Sequence, residues 1–178
     1  MPMILRPIDV YNLPAEIMPM LVFSTDVNSI RSRIIRWGTD GECSHVMWLW
    51  RRYYLATTGL FYGEVPIIKY LRNSTMWFFR LVDPLPTRQF RLSDSISSKL
   101  VEPWYKRRYD VLAMLGHALG VQYIQSPWCD NCVETVVDDL FTAYMNSWTP
   151  TTWTPQELFR WCKSKYSGFD LHGIYQPN

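Results

Sequence analysis

The sequence predicts an α+β fold in a single domain spanning residues 1–178. Apolar, aromatic stretches with strand character lie in its first half and centre, whereas apolar residues at helical spacing lie mainly in its second half. A hydrophobic fraction of 48% and a charged fraction of 19% exclude a disordered chain. A chain of 178 residues is also long enough to bury one sizeable core.

Three stretches are predicted to be strands. Met20–Phe23 is short and apolar, and both Val46–Tyr54 and Thr75–Val82 are rich in aromatic and β-branched residues. All three precede the region where helical spacing dominates, so the strands are expected to form one central sheet.

Five segments are predicted to be helices: Ser29–Trp37, Asp94–Val101, Tyr109–Leu119, Cys132–Tyr144 and a last helix ending at Trp161. In the first, Ile30, Ile34 and Ile35 fall on one side. The second is expected to start at Ser93-Asp94-Ser95, because serine and aspartate favour helix starts. The last opens with Thr154 as a cap and Pro155 at the first helical position.

The charge balance limits the function classes. Lys and Arg total 18 against 16 for Asp and Glu, so a net charge of +2 excludes a broadly electrostatic nucleic-acid binder. Three basic clusters, Arg31/Arg33/Arg36, Arg51-Arg52 and Lys106-Arg107-Arg108, are interpreted as solvated faces. The alternative is an electropositive rim that attracts an anionic polymer.

The sequence shows neither a signal peptide nor a membrane span. Met1–Ile8 lacks a basic start followed by a long apolar run, and the uncharged stretch Val111–Cys129 is too polar and broken to cross a bilayer. A soluble, cytoplasmic protein is therefore expected.

The cysteines and histidines supply the candidate chemistry. Four cysteines without a signal peptide suggest reduced thiols, metal ligands or a nucleophile. Cys132 directly precedes a helical run, and the N–H groups and dipole of a helix N-terminus favour a thiolate. With His45 alongside, it would form a nucleophile and a general base. The alternative is that Cys132 is a buried small hydrophobe, as most free cysteines are.

Several short motifs, in order, resemble those of permuted papain-like hydrolases, the YiiX-like and NlpC-related enzymes. The resemblance extends from about Met20 to Leu158. The first motif is Ser29-Ile30-Arg31, followed by Thr39 and Ser44-His45-Val46, and it is similar to the family's SxxIR…T…SHVG. Gly63-Glu64-Val65 is similar to the Gly-Val after the family's second strand, and Tyr109-Asp110 with Leu115-Gly116 is similar to the helix before the nucleophile. Cys132–Val136 is similar to C-S-E-x-V, and Thr154–Leu158 is similar to TPxxL.

The resemblance implies a circularly permuted papain-like fold, with a small antiparallel sheet packed against helices. Cys132 would attack an acyl carbon, and its backbone N–H would donate to the oxyanion. His45 would take the thiol proton and return one to the leaving group. The acid that orients the histidine in this family is missing, and Thr57 is preferred to Glu64 in that role.

Two further departures stand out, because Val133 and Met47 occupy positions where the family carries a small polar residue and a glycine. Cys129 is an alternative nucleophile, but that alignment loses the family's Glu and Val positions. The thiols Cys43, Cys129 and Cys132 with His45 would also suit a tetrahedral zinc. A zinc deaminase layout fails, because His45-Val46-Met47 lacks its glutamate. No metal or other cofactor is included in the preferred interpretation.

The resemblance implies a thiol hydrolase of the peptidase or amidase type, with peptide or peptidoglycan as substrate and a place in a phage particle as one setting. A catalytically silent structural or binding module, such as a virion component with the same fold, is the alternative from another class. A third interpretation keeps the Cys132–His45 pair but uses it on lipid acyl chains, as in the lecithin:retinol acyltransferase relatives.

Overall fold

A single sheet organises the computed structural model, which describes residues 2–26, 28–58, 62–82, 86–102, 132–144, 153–164 and 167–177. Within these residues the sheet has seven strands in the order β1-β7-β6-β2-β3-β4-β5. They are β1 Met3–Leu5, β2 Met20–Asp26, β3 His45–Arg51, β4 Tyr54–Thr58, β5 Tyr62–Pro66, β6 Ser74–Leu81 and β7 Phe169–Tyr175.

Helices cover both faces of this sheet. The helices in the described residues are α1 Pro7–Tyr11, α2 Ile30–Thr39, α3 Ile68–Leu71, α4 Pro86–Val101, α5 Cys132–Tyr144 and α6 Pro155–Cys162, with a 3₁₀ turn at Ala15–Ile17. This mixed arrangement confirms the predicted α+β class. None of the helices described is long and apolar enough to cross a membrane.

Strand alternation divides the buried side chains into two cores, because successive residues of a strand point to opposite faces. On β3, Val46 and Trp48 join the core that includes residues of α4, α5 and α6. Met47 and Leu49 join the other core, which includes residues of α1 and the neighbourhood of α3. We call these the α5 core and the α3 core.

The sheet is larger than the sequence predicts and is not wholly antiparallel. β1 pairs with β7 in parallel, and β7 pairs antiparallel with β6. Gly173 permits the parallel pairing, because a Cβ there would lie 2.8 Å from Leu5 Cγ. β1 and β7 form one side of the sheet and come from the two ends of the described chain, where local patterns gave no strand signal.

Two element predictions are wrong. Val46–Tyr54 is not one strand, because the chain turns after Arg51 and Tyr53 adopts a positive φ of 69°. β4 then returns antiparallel to β3. Ser93-Asp94-Ser95 is not a helix start but lies inside α4, which already begins at Pro86. Serine and aspartate suit a helix cap locally, but here the side chain of Ser95 is used in the protein interior instead.

The predictions for Met20–Phe23, Thr75–Val82 and Cys132–Tyr144 are confirmed in type, with small changes of boundary for the two strands. The helix at Ser29–Trp37 is also present, but of its three isoleucines only Ile35 is buried. The predicted helix Tyr109–Leu119, the Lys106-Arg107-Arg108 cluster and Cys129 lie outside the described residues.

Candidate active site

His45 and Thr57 meet at one end of the sheet. His45 begins β3 and Thr57 lies near the end of the antiparallel β4, in a register that sets Trp48 opposite Ala56. Alternation from that pair puts His45 and Thr57 on the same face. The imidazole Nε2 lies 2.6 Å from Thr57 Oγ1. A neutral hydroxyl, itself buried, therefore contacts the histidine ring.

Tyr70, which the sequence analysis did not single out, extends this contact. Burial raises the pKa of Tyr70, a hydrogen bond with the Thr57 side chain lowers it, and the nearby Cys132 thiol raises it. Tyr70 thus lies beside Thr57 and within electrostatic range of Cys132. No local sequence signal marks it, because its role depends on where α3 packs.

The contact with Thr57 suits one tautomer of the histidine. Thr57 Oγ1 has lone pairs that can accept from His45 Nε2–H. A neutral imidazole protonated at Nε2 carries its lone pair on Nδ1. Thr57 can therefore hold the ring in the tautomer whose Nδ1 acts as a base.

Glu64, the other candidate orienter, is engaged elsewhere. Its carboxylate accepts from Arg51 Nε at 2.6 Å and Nη2 at 2.8 Å, and from Trp50 Nε1 at 3.0 Å. Hydrogen bonding to Arg51 lowers the pKa of Glu64. Glu64 on β5 thus binds Trp50 and Arg51 at the end of β3 that is opposite to His45. Thr57, by contrast, contacts the histidine.

Two anchors set the direction of α5 along β3. Near the start of the helix, burial raises the pKa of the Cys43 thiol, and Cys132 is close enough to raise it further. Seven residues later, Asp139 Oδ2 accepts from Trp48 Nε1 at 3.0 Å. Seven helical residues and the three strand residues from His45 to Trp48 both span about 10 Å. The N-terminus of α5 therefore lies at the His45 end of the sheet.

The two halves of the proposed dyad approach this end from different sides. Cys132 is 4% exposed and belongs to the α5 core, together with Cys43, Val46 and Trp48. His45 lies on the strand face that carries the α3 core. The structure thus brings His45 and Thr57 into contact and puts Cys132 at the same sheet end, near Tyr70.

The remaining described thiols, Cys43 and Cys162, are unsuited to nucleophilic attack. Burial raises the pKa of both far above the ordinary value of 9.0, so each remains a protonated thiol at neutral pH. None of the three described cysteines is part of a disulfide. Cys132 is the only described cysteine that starts a helix.

Gln156 holds the loop that leads into His45. It lies within the Thr154–Leu158 motif, which gives no indication of this contact. Its Oε1 accepts from the backbone N–H groups of Glu42 at 2.8 Å and Cys43 at 3.3 Å. Gly41 passes so close that a Cβ would lie 2.8 Å from this oxygen. The start of α6 thus holds the backbone two residues before the histidine.

A buried ionic network anchors α5. Asp139 is fully buried and accepts from Ser95 Oγ at 2.7 Å and Trp48 Nε1 at 3.0 Å, with Lys99 Nζ at 2.9 Å. Burial lowers the pKa of Lys99, but the attraction of Asp139 and Asp138 outweighs it and the net shift is upward. Burial also raises the pKa of Asp139 against these partners. Because three donors contact its carboxylate, Asp139 is ionised and pairs with the protonated amine of Lys99.

No group of three or more His, Cys, Asp or Glu side chains suitable for a metal occurs within the described part of the chain. The zinc set proposed from sequence included Cys129, which lies outside it. Of its other members, Cys43, Cys132 and His45, the thiol of Cys43 donates to Gln156 Oε1 at 3.5 Å.

The fold, rather than the sequence, connects this chain with known proteins. No family model and no curated protein matches it. Among solved structures it is similar to the metalloprotein YiiX from Escherichia coli O157:H7, with a TM-score of 0.53 and 17% identity. The chain has a YiiX-like fold. The match covers 72% of this chain and 66% of that protein, so the chain spans slightly less than two thirds of the length of YiiX.

Proposed function

We propose that this protein is a cysteine-dependent acyl hydrolase in which Cys132 is the nucleophile and His45 the general base. The observation that carries the proposal is the 2.6 Å contact between His45 and Thr57, at the sheet end where α5 begins with Cys132. A permuted papain-like arrangement, with the histidine strand preceding the cysteine helix, is part of the same proposal.

The proposed reaction has two halves. His45 Nδ1 takes the thiol proton as Cys132 Sγ bonds to the acyl carbon, and the oxyanion accepts a hydrogen bond from the Cys132 backbone N–H. The imidazolium then protonates the leaving group as its bond to carbon breaks. In the second half His45 deprotonates water, which attacks the thioester carbon. The Cys132 thiolate leaves and recovers its proton from His45, and the acid product departs.

The preferred substrate is an amide in a peptide, with peptidoglycan peptide as the first choice by resemblance. A phage or virion setting for such an activity belongs to this proposal. YiiX is described as a metalloprotein. The residues described in this chain bring together no set of three suitable ligands, so no step here runs through a metal.

Two other functions are supported by specific observations. The burial of Cys132, at 4% exposed, favours a catalytically silent module. The exposed apolar residues of α2 favour a lipid acyl substrate over a peptide. Alkylation kinetics of Cys132 separate a reactive thiol from a silent one, and paired peptide and phospholipid substrates separate the two acyl chemistries.

The direct test compares hydrolysis by the unaltered chain with that by Cys132→Ala, His45→Ala and Cys129→Ala variants. We expect the first two to lose activity by at least about a hundredfold, the lower bound for removing a general base, while remaining folded. Cys129→Ala is the matched control and retains activity. Full activity in folded Cys132→Ala would overturn the proposal.

A further inference from the structure

A basic pocket lies between α2, α6 and the loop that joins α2 to β3. It has a volume of about 510 Å³, within the range of small-ligand sites. Four basic side chains line it against two acidic ones: Arg33, Arg36, Arg160 and Lys163 against Asp40 and Glu42. Its lining includes none of His45, Thr57 and Cys132, so it is separate from the candidate active site.

Arg36 indicates what the pocket would bind. Its Nε is buried and has no hydrogen-bond partner among the described residues. A buried donor without a partner is costly, and a guanidinium is best satisfied by a carboxylate or phosphate oxygen. The nearby acidic residue Asp40 contributes its backbone carbonyl to Arg160 Nη2, at 3.4 Å. A phosphate oxygen in the pocket would supply the acceptor that Arg36 lacks.

An exposed apolar stripe borders this pocket. Ile30, Ile34 and Trp37 are 67%, 47% and 81% exposed. They are spaced four and three residues apart, so they form one stripe along α2. Arg33 and Arg36 project from the neighbouring side of the same helix into the pocket. We call these three residues the α2 stripe.

The combination fits one class of partner. A helix that exposes large aliphatic side chains and a tryptophan beside basic residues is typical of helices lying in the plane of a membrane interface. Tryptophan favours the headgroup level, where its ring is apolar and its N–H can hydrogen-bond. Nucleic acid would use the arginines but leave Ile30 and Ile34 in water.

We propose that α2 docks on an anionic phospholipid surface. The basic pocket binds a lipid phosphate, with Arg36 Nε as one donor, while the α2 stripe enters the boundary between headgroups and acyl chains. The four basic side chains of the pocket attract the negatively charged surface. This docking does not depend on the Cys132–His45 chemistry.

Co-sedimentation with phosphatidylcholine vesicles, with and without phosphatidylglycerol, tests the docking. We use the Cys132→Ala chain beside the unaltered one, so that loss of hydrolysis and loss of docking are read separately. Both chains should bind only the anionic vesicles, and less at high salt. Equal binding to both vesicle types, or to neither, would overturn the proposal.

Paired variants localise the surface. Arg33→Glu with Lys163→Glu should lower partitioning at least about tenfold, since each basic residue near an anionic surface contributes roughly fivefold. Ile30→Ser with Ile34→Ser should also reduce binding. Matched changes at exposed positions on α3, Lys69→Glu and Ile68→Ser, should have little effect. Circular dichroism verifies folding of every variant.

Soluble phosphates separate a lipid site from a pocket for a free anion. Inorganic phosphate and glycerol 3-phosphate, measured by calorimetry, should bind far more weakly than the anionic vesicles, because they do not engage the α2 stripe. Tight binding of either compound to a chain that does not bind the vesicles would overturn lipid docking. Equal vesicle binding by the α2 variants and the α3 controls would do the same.

Discussion

At the scale of single residues, the histidine ring contacts the hydroxyl of Thr57. A carboxylate would stabilise an imidazolium by charge, whereas Thr57 can fix only the ring orientation and tautomer. The proposed role of Thr57 therefore rests on its 2.6 Å contact with His45 Nε2. Tyr70 lies beside Thr57 and extends this contact.

Replacing Thr57 by valine tests this role, because valine keeps the shape and removes the hydroxyl. We expect Thr57→Val to lower the alkylation rate of Cys132 at neutral pH about tenfold, since an unheld imidazole is a poorer base. Thr57→Ser, which restores a hydroxyl, is the matched control and should recover most of the rate. Equal rates in all three chains would remove Thr57 from the site.

The Lys99–Asp139 pair predicts an effect on stability. Lys99→Met leaves the Asp139 carboxylate buried without its cation, and we expect the free energy of unfolding to fall by about 3 kcal/mol. This is the lower end of the usual range, because Lys99 is still 20% exposed. Urea denaturation measures the change, with Lys69→Met as the exposed control. An unchanged midpoint would show that the pair does not stabilise the fold.

The same lysine gives a pH dependence. Its pKa in the folded chain lies above the ordinary 10.5, so the folded state retains the proton to higher pH than the unfolded state does. The stability that it contributes is complete below pH 10.5 and is lost as the pH rises through the folded pKa. Lys99→Met should remove this alkaline loss, as thermal unfolding between pH 9 and 12 would measure. A slope that persists in the variant would assign it to another group.

At the scale of elements, α6 holds the loop before His45 through Gln156. Gln156→Leu leaves the N–H groups of Glu42 and Cys43 without their acceptor, which should lower the free energy of unfolding by about 2 kcal/mol. Hydrolysis should fall as well, because the loop positions the histidine. Gln89→Leu, which removes one exposed bond to Glu16, should change stability little. An equal effect of both substitutions would contradict the role of α6.

Element prediction from the sequence worked where local patterns match the final environment. The apolar spacing of α5 matches its packing, and Thr154 and Pro155 start α6 through the predicted cap. Prediction failed where contacts with distant parts of the chain determine the local conformation. Tyr53 adopts a positive φ that residue type does not reveal. Ser95 lies inside α4, where its hydroxyl donates a hydrogen bond to the buried Asp139 carboxylate.

At the scale of the whole molecule, the β1–β7 side of the sheet and the site depend on long-range pairing. β1 and β7 come from opposite ends of the described chain. They can pair because Gly173 has no Cβ, which would otherwise clash with the side chain of Leu5. Neither strand has a strong local signal. His45, Thr57 and Cys132 could be named from residue types and motif order. Tyr70 and Gln156 could not, because only the packing of α3 and α6 brings them to the site.

The central claim is that Cys132 and His45 act together, and the pH dependence of Cys132 alkylation tests it most directly. Iodoacetamide labelling, followed by mass spectrometry at the Cys132 peptide, gives the rate from pH 5 to 10. We expect fast alkylation at pH 7 in the unaltered chain, and in His45→Ala a slower reaction that rises only near the ordinary cysteine pKa of 9.0. Identical profiles in the two folded chains would contradict the dyad.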